Sequence, residues 1–395
     1  MAVLRKDEFH LPEGIIYLDG NSLGPLPKTV MVRVQRTVED EWGEMLIRAW
    51  NDADWMQQVT RLGDRIAPLI GAPGRSVVVG DTLSIKVFQA LSAALQLNPH
   101  RKVVLSDSGN FPTDLYMAEG LIDAIGGDVE LKTVAPEVIP EHIDDSVAVL
   151  MLTHVDYRTG RMHDMVELTR QAHAHGVVVL WDLAHSAGAV PLDLGACRAE
   201  FAVGCTYKYL NGGPGAPAFI YVRPDIAPDA RPILSGWLGH ADPFAFEPAY
   251  RAGDGIERMR VGTPAILQMA ALDAALDVWE SVSMGEVREQ SIELTELFIN
   301  QVESLCPELA LATPRNPVAR GSQVSFSYEN AYPVVQALIA EGVIGDFRAP
   351  NIMRFGFAPL YIDEGDVRDA ASTLARVLKD ELWRKPEFNQ RSLVT

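Results

Sequence analysis

The sequence predicts an α/β fold, a mainly parallel sheet sandwiched by helices, and three observations carry that expectation. Short apolar runs alternate with helical patterns between residues 77 and 222. One of the intervening stretches, 164–175, reads as a helix that Gly176 closes in the position a helix C-terminus favours. Polar candidates gather just beyond the ends of the runs, where sites form in sheets of this kind.

Taken in order, the runs are VVV at 77–79, VVL at 103–105, VAVLML at 147–152, VVVLW at 177–181, FAVG at 201–204 and AFIYV at 218–222. Each is short and apolar, as a buried strand is. Leu83 and Ser84 follow the first run, Phe111 and Asp114 the second, Thr153 the third, and Asp182 and His185 the fourth. From Pro264 the character changes. An alanine- and leucine-rich stretch over 265–278 leads to an amphipathic pattern over 286–302, then to a weaker strand signal at 323–326 and a helix over 364–378. The expected organisation is a large domain over 50–275 and a smaller α+β domain made of 1–49 and 276–395, joined by one long helix.

Composition narrows the function. With 395 residues, 48% hydrophobic and 22% charged, the chain is of ordinary globular type and can bury a large core. Its 34 basic and 53 acidic residues leave a net charge of −19, which opposes binding to phosphate backbones or anionic lipid, so no nucleic acid or membrane partner is expected. Asp7 and Glu8 stand near the start and no apolar run approaches the ~20 residues that span a bilayer, so neither secretion signal nor anchor is expected. Three cysteines, Cys197, Cys205 and Cys306, have no paired spacing; a reducing cytoplasm is the simplest home. His163, His173 and His175 cluster in sequence, but positions i and i+2 of a helix do not face each other, and no metal site is expected.

The chemistry centres on Lys208. It follows an apolar run and precedes NGGPG at 211–215, whose glycines let backbone approach a ligand closely. A lysine that forms an imine with an aldehyde works best partly desolvated, at the end of such a run. Asp182, delivered by another apolar run, is the carboxylate that would keep a pyridine nitrogen protonated. Together they have the layout of a pyridoxal phosphate site. Taken singly, each also has an ordinary reading: a loop lysine, a strand-end aspartate, a core phenylalanine at 111, a packed tryptophan at 237 and a hydrogen-bonded histidine at 185.

An ordered set of stretches resembles one family: LDGNSLG at 18–24, NFPTD at 110–114, DLAH at 182–185, TYKYLN at 206–211, GWLGH at 236–240, VGTP at 261–264 and RFGFAPLY at 354–361. The chain resembles the kynureninases in their bacterial form, enzymes of pyridoxal phosphate fold type I in the aminotransferase superfamily. The resemblance implies that Lys208 is the imine lysine, Asp182 the pyridinium partner and Phe111 the residue stacked on the ring. It places Leu83, Ser84, Asp114, Thr153, His185, Tyr207 and Trp237 around pyridoxal 5′-phosphate, with Thr263 reaching across from a second subunit, hence a homodimer. Arg354 would grip the substrate α-carboxylate bidentately, as a planar guanidinium can. Asn21 and Ser22 would cap the substrate pocket, and Trp42 and Trp50 are candidates to line it.

The implied reaction is hydrolysis of L-kynurenine to anthranilate and L-alanine by cleavage of the Cβ–Cγ bond. Lys208 would remove the α-proton, and Tyr207 would protonate the β-carbanion if its phenol pKa were lowered by its surroundings. Two other chemistries suit the same layout. A cysteine desulfurase or β-lyase needs a nucleophilic cysteine on a mobile loop, and neither Cys205 nor Cys306 is placed for that. An aminotransferase would turn over a second keto acid. A silent binding module would have lost Lys208 or Asp182, and both are present.

Overall fold

A computed structural model describes residues 3–390. Its large sheet contains seven strands, β1 Val77–Val79, β2 Val103–Asp107, β3 Glu130–Val134, β4 Val147–Thr153, β5 Val178–Asp182, β6 Phe201–Gly204 and β7 Phe219–Val222. Their spatial order is β1-β7-β6-β5-β4-β2-β3. All pairings from β3 through β6 are parallel, and β7 runs antiparallel to both β6 and β1. Every residue of β4 and β5 is buried, which is why the runs show no polar alternation: both faces of the sheet are covered. The edge strand β3 is partly exposed along its length and carries no continuous apolar run, so it has no such signature in the sequence.

Up to residue 275 the α-helices of nine or more residues are α1 Lys28–Arg36, α2 Trp55–Ile66, α3 Leu83–Leu97, α4 Pro112–Ile125, α5 Met165–Ala174 and α6 Ile266–Ala275. Helix α5 begins where Asp164 accepts a hydrogen bond from the Glu167 amide at 3.0 Å and is followed by Gly176 at φ +65°. The expected long joining helix is two helices. Beyond α6 the chain tightens into a short 3₁₀ turn, and Ser281 takes a left-handed backbone at φ +65°. Ser283 then caps a new helix, α7 Met284–Leu305. A residue at positive φ cannot continue a right-handed helix, and the serine cap restarts one.

The C-terminal part holds a four-stranded antiparallel sheet of β8 Ala310–Leu311, β9 Gln323–Ser327, β10 Asp346–Arg348 and β11 Ile352–Gly356, in the order β8-β9-β11-β10. It is accompanied by α7, α8 Ala331–Ala340 and α9 Glu364–Lys379, the last opened by a reciprocal capping box between Asp363 and Asp366. Phe298 of α7 packs against Phe326, Phe355 and Phe357 at ring separations of 5.1–6.2 Å. The N-terminal segment joins this part: Ile16–Tyr17 pairs in parallel with Val343–Ile344, and the Gly356 amide donates to Leu18 O at 2.6 Å. It then crosses to the large sheet, where the Gly24 amide donates to Tyr207 O at 2.8 Å. A Cβ on Gly24 would lie 2.3 Å from Lys208 O, so only glycine allows this approach.

Candidate active site

The parallel register builds the first cluster. Thr153 at the end of β4 lies directly opposite Asp182 at the end of β5. The Thr153 hydroxyl stands 3.4 Å from Asp182 Oδ2 and 3.5 Å from Asp114 Oδ2, so it lies between two buried carboxyl groups. Asp182 also accepts from the Ala184 amide at 2.8 Å. Burial raises the pKa of Asp182, while Lys208 and the Ala184 amide pull it back. Asp114 is pushed well above the usual carboxylate range, by burial first and then by the Asp182 charge. Two carboxyl groups in one dry site attract a cation, which is what a protonated pyridine nitrogen offers.

Lys208 lies beyond the end of β6, with its Nζ 3.0 Å from His185 Nε2. Burial, then the Lys208 charge, then Arg354 and Arg348 hold His185 well below its ordinary pKa, so its imidazole is neutral. Phe111 is held from the other side. Its amide donates to Asn110 Oδ1 at 2.7 Å, Asn110 also accepts from the Thr153 hydroxyl and donates to Ser106 Oγ at 3.0 Å, and the Phe111 ring meets Tyr157 edge-on at 5.2 Å. Leu83 and Ser84 form the first turn of α3, capped by Thr82, an N-terminus of the kind that accepts a phosphate group. The residues present therefore fit pyridoxal phosphate: a lysine, paired carboxyls, a half-exposed ring and a helix N-terminus.

Burial, then Cys205 and Asp182, push the pKa of the Tyr207 phenol up. Two further residues have other surroundings. Trp237 is part-exposed and packs edge-on against Phe244 at 5.9 Å. Thr263 lines a cavity with Gly80, Asp81, Lys86 and Leu238. Trp42 is exposed and borders a trough with Trp55, Pro264 and Leu267, while Trp50 packs edge-on against Trp55 at 5.8 Å.

A second cluster surrounds Arg354. In the β10–β11 pairing it lies opposite Asp346, and both side chains are buried. Arg354 Nε donates to Asp346 Oδ1 at 2.8 Å, Nη2 to Asp346 Oδ2 and to Ser22 Oγ at 2.7 Å, and Nη1 to Tyr157 O at 2.5 Å. Of the five N–H groups of a guanidinium, that leaves one. In this structure Asp346 occupies the Nε–Nη2 edge of Arg354. Asn21 is fully buried beside Gly356, where a Cβ would lie 1.9 Å from Asn21 Oδ1, and neither of its side-chain polar atoms has a partner among the described residues.

Asn110, Tyr157, Asp19, Asp346 and Arg348 belong to this environment; sequence reading assigns Asn110 and Asp19 no role within the stretches 110–114 and 18–24 and does not single out the other three. The turn residues Ala349-Pro350-Asn351 between two short apolar stretches were the available signal for the hairpin that sets Asp346 opposite Arg354. All three cysteines are buried free thiols, and burial raises the pKa of each, that of Cys306 up to about 12, so none has the makings of a ready nucleophile. Among the described residues no group of three or more His, Cys, Asp or Glu gathers as a metal site, and no helix is long and apolar enough to cross a membrane.

The fold is shared with a cysteine desulfurase from Thermococcus onnurineus, at a TM-score of 0.80 and 19% identity over 96% of this chain and 100% of that one. It is shared also with the cystine C–S lyase C-DES in complex with cysteine persulfide, at 0.79 and 19% over 92% and 98%. At such identity the likeness concerns architecture alone. The profile described as the kynureninase C-terminal domain matches residues 287–374. The kynureninases of Pseudomonas fluorescens and Burkholderia mallei are each 50% identical to the chain, covering 100% of it and 96% of their own length. On that full-length similarity, the chain belongs to the kynureninase family.

Proposed function

We propose that this chain hydrolyses the Cβ–Cγ bond of L-kynurenine to anthranilate and L-alanine with pyridoxal 5′-phosphate as cofactor, and that Lys208, Asp182 and their neighbours carry the reaction. The observation that carries the reading is Lys208 Nζ at 3.0 Å from a neutral, buried imidazole, beside two buried carboxyl groups with Thr153 between them. The bound cofactor would supply an electron sink for the bonds at the substrate Cα. Asp182 would hold the ring nitrogen, with Asp114 and Thr153 completing its polar surroundings. Phe111 would cover one ring face, and the amides of Leu83 and Ser84, with the Ser84 hydroxyl, would meet the phosphate. The neutral His185 leaves Lys208 free of a competing positive charge, and the Lys208 amine is the group placed to take and return the proton at Cα. Tyr207 keeps its proton through the neutral range and is retained as a donor within reach of the same pocket.

The desulfurase alternative has nothing to act with, since the three thiols are buried and held protonated. A homodimer belongs to the same reading. Trp42, Leu46, Ile47, Phe244 and Phe246 are all more than half exposed, a surface a second copy would cover. The division into residues 50–275 and 1–49 with 276–395, and a reducing cytoplasmic setting for the free thiols, complete the proposal. The test supplies purified protein with pyridoxal phosphate, records the absorption band of bound cofactor and follows anthranilate fluorescence with L-kynurenine. Lys208→Ala should lose turnover by at least about 10²–10⁴-fold, the scale of removing a proton-transfer group. Unchanged turnover would overturn the assignment.

A further inference from the structure

The strand ends that build the lysine site also build a second chamber behind it. Thr153 and His185 meet Asp182 and Lys208, whereas their chain neighbours His154 and Ser186 meet each other, Nδ1 to Oγ at 2.8 Å. Successive side chains of an extended segment point to opposite sides, so the register that aims Thr153 at Asp182 turns His154 away from it. His154 is only 5% exposed, yet it lines a cavity of about 560 Å3, a volume typical of small-molecule sites. The residues around this cavity are none of those that would hold the cofactor or the substrate.

Both parts of the molecule supply its walls. Met162, Met165, Val190 and Leu192 come from the large part, and Val318 and Arg288 of α7 from the C-terminal part. Arg288 is half-buried and donates to Pro317 O at 2.5 Å, Arg320 O at 2.7 Å and Gly321 O at 3.2 Å. Of its five N–H groups, those on Nε and one on Nη1 have no acceptor among the described residues. The His154 ring likewise makes a single hydrogen bond among them, through Nδ1, which leaves Nε2 open. Burial, then His163, push this ring down to about 3, so it is neutral. Two exposed carboxylates stand at the rim, Asp164 and Asp193, each already accepting from a helix amide, Glu167 at 3.0 Å and Ala196 at 2.8 Å. An apolar chamber with one incompletely paired guanidinium suits an apolar body carrying one carboxylate, and the two rim carboxylates repel a dianion.

We propose that this cavity is a binding site, separate from the lysine site, for a small monocarboxylic acid with an apolar body, its carboxylate meeting Arg288 and His154 Nε2. The ligand would touch both the large part and α7, and it would contact His154 and Ser186 from the side opposite to Thr153 and His185.

The experiment titrates the holoenzyme by calorimetry with benzoate, with neutral benzamide and with the dianion phthalate. Benzoate should bind wild type, and phthalate should bind more weakly than benzoate. Val318 is 71% exposed at the cavity wall, so its replacement should leave the fold intact, which a circular dichroism spectrum and melting temperature like wild type would check. Val318→Trp, whose indole fills the apolar space, should weaken benzoate by at least about 10-fold. Val318→Asp, which adds a third carboxylate, should weaken benzoate by about 5-fold, the scale of one charge pair about 4 Å apart in water, and leave benzamide unchanged. Both variants should turn over L-kynurenine like wild type. Absence of benzoate binding to wild type, equal benzoate binding by wild type and both variants, or a matching loss of kynurenine turnover in the folded variants would overturn the proposal. Failure of the wild-type holoenzyme to act on L-kynurenine would instead sink the functional reading, which the benzoate contrast does not require.

Discussion

Replacing Asp346 by Asn should destabilise the protein far more than its single charge suggests. Asp346 is fully buried and is the shared acceptor of Arg354, Arg348 and Ser22. At an effective dielectric of about 20, two charges about 4 Å apart attract by about 4 kcal/mol, so neutralising Asp346 removes about 8 kcal/mol of attraction from two guanidiniums. Part of that is recovered. Asp19, whose carboxyl is pushed up to about 7 by burial and then by Asp346, loses the second cause in the variant while the pull of Arg354 remains. It therefore ionises at neutral pH and restores one attraction, leaving a net loss of about 3–5 kcal/mol, in line with breaking a buried pair. Equilibrium urea unfolding near neutral pH reads this as a lower midpoint at unchanged slope. Asp19→Asn in the same background should cost more than the sum of the two single changes, because the substitute charge is then absent. A loss under about 1 kcal/mol, or strict additivity, would refute the reasoning.

Asp19 makes a separate prediction by itself. Its folded value of about 7 lies above its ordinary 3.8, so it contributes stability that is fully present below pH 3.8 and lost as pH rises through about 7. The stability of wild type relative to Asp19→Asn should decline across that window, and a difference that stays flat from acid to neutral pH would contradict it. Replacing Cys197, Cys205 and Cys306 together by Ala should leave kynurenine hydrolysis in place, because burial holds each thiol protonated. Loss of turnover in a variant that still folds and binds the cofactor would return a thiol to the mechanism.

Lys208, Asp182, His185 and Thr153 were legible in the sequence because their positions follow from topology. A parallel sheet gathers strand C-terminal ends along one edge, so an apolar run followed by a polar residue already locates that residue in space. Strand β3 and the break at Ser281 were not legible for the opposite reason. The edge strand buries only part of its surface and carries no apolar run, and the break depends on one positive φ that a serine shows no sign of in composition. The role of Asn110 escaped because it is relational: its amide oxygen serves both the Phe111 backbone and the hydroxyl of Thr153, 43 positions further along the chain.

The arginine pair shows where sequence reading stops. Residue type alone assigns Arg354 to a carboxylate, and the structure agrees in one sense: Arg354 does hold a carboxylate, but it belongs to Asp346, eight positions earlier, across the β10–β11 pairing. Whether a donor is free is a property of register and burial, since both decide which N–H groups already have acceptors. Arg348, two pairs further along the same hairpin, holds the same aspartate with one nitrogen and leaves its buried Nε without a partner among the described residues. Which donors of Arg354 already have acceptors is therefore set by how the small sheet pairs it with one buried aspartate, and only the folded register makes that pairing.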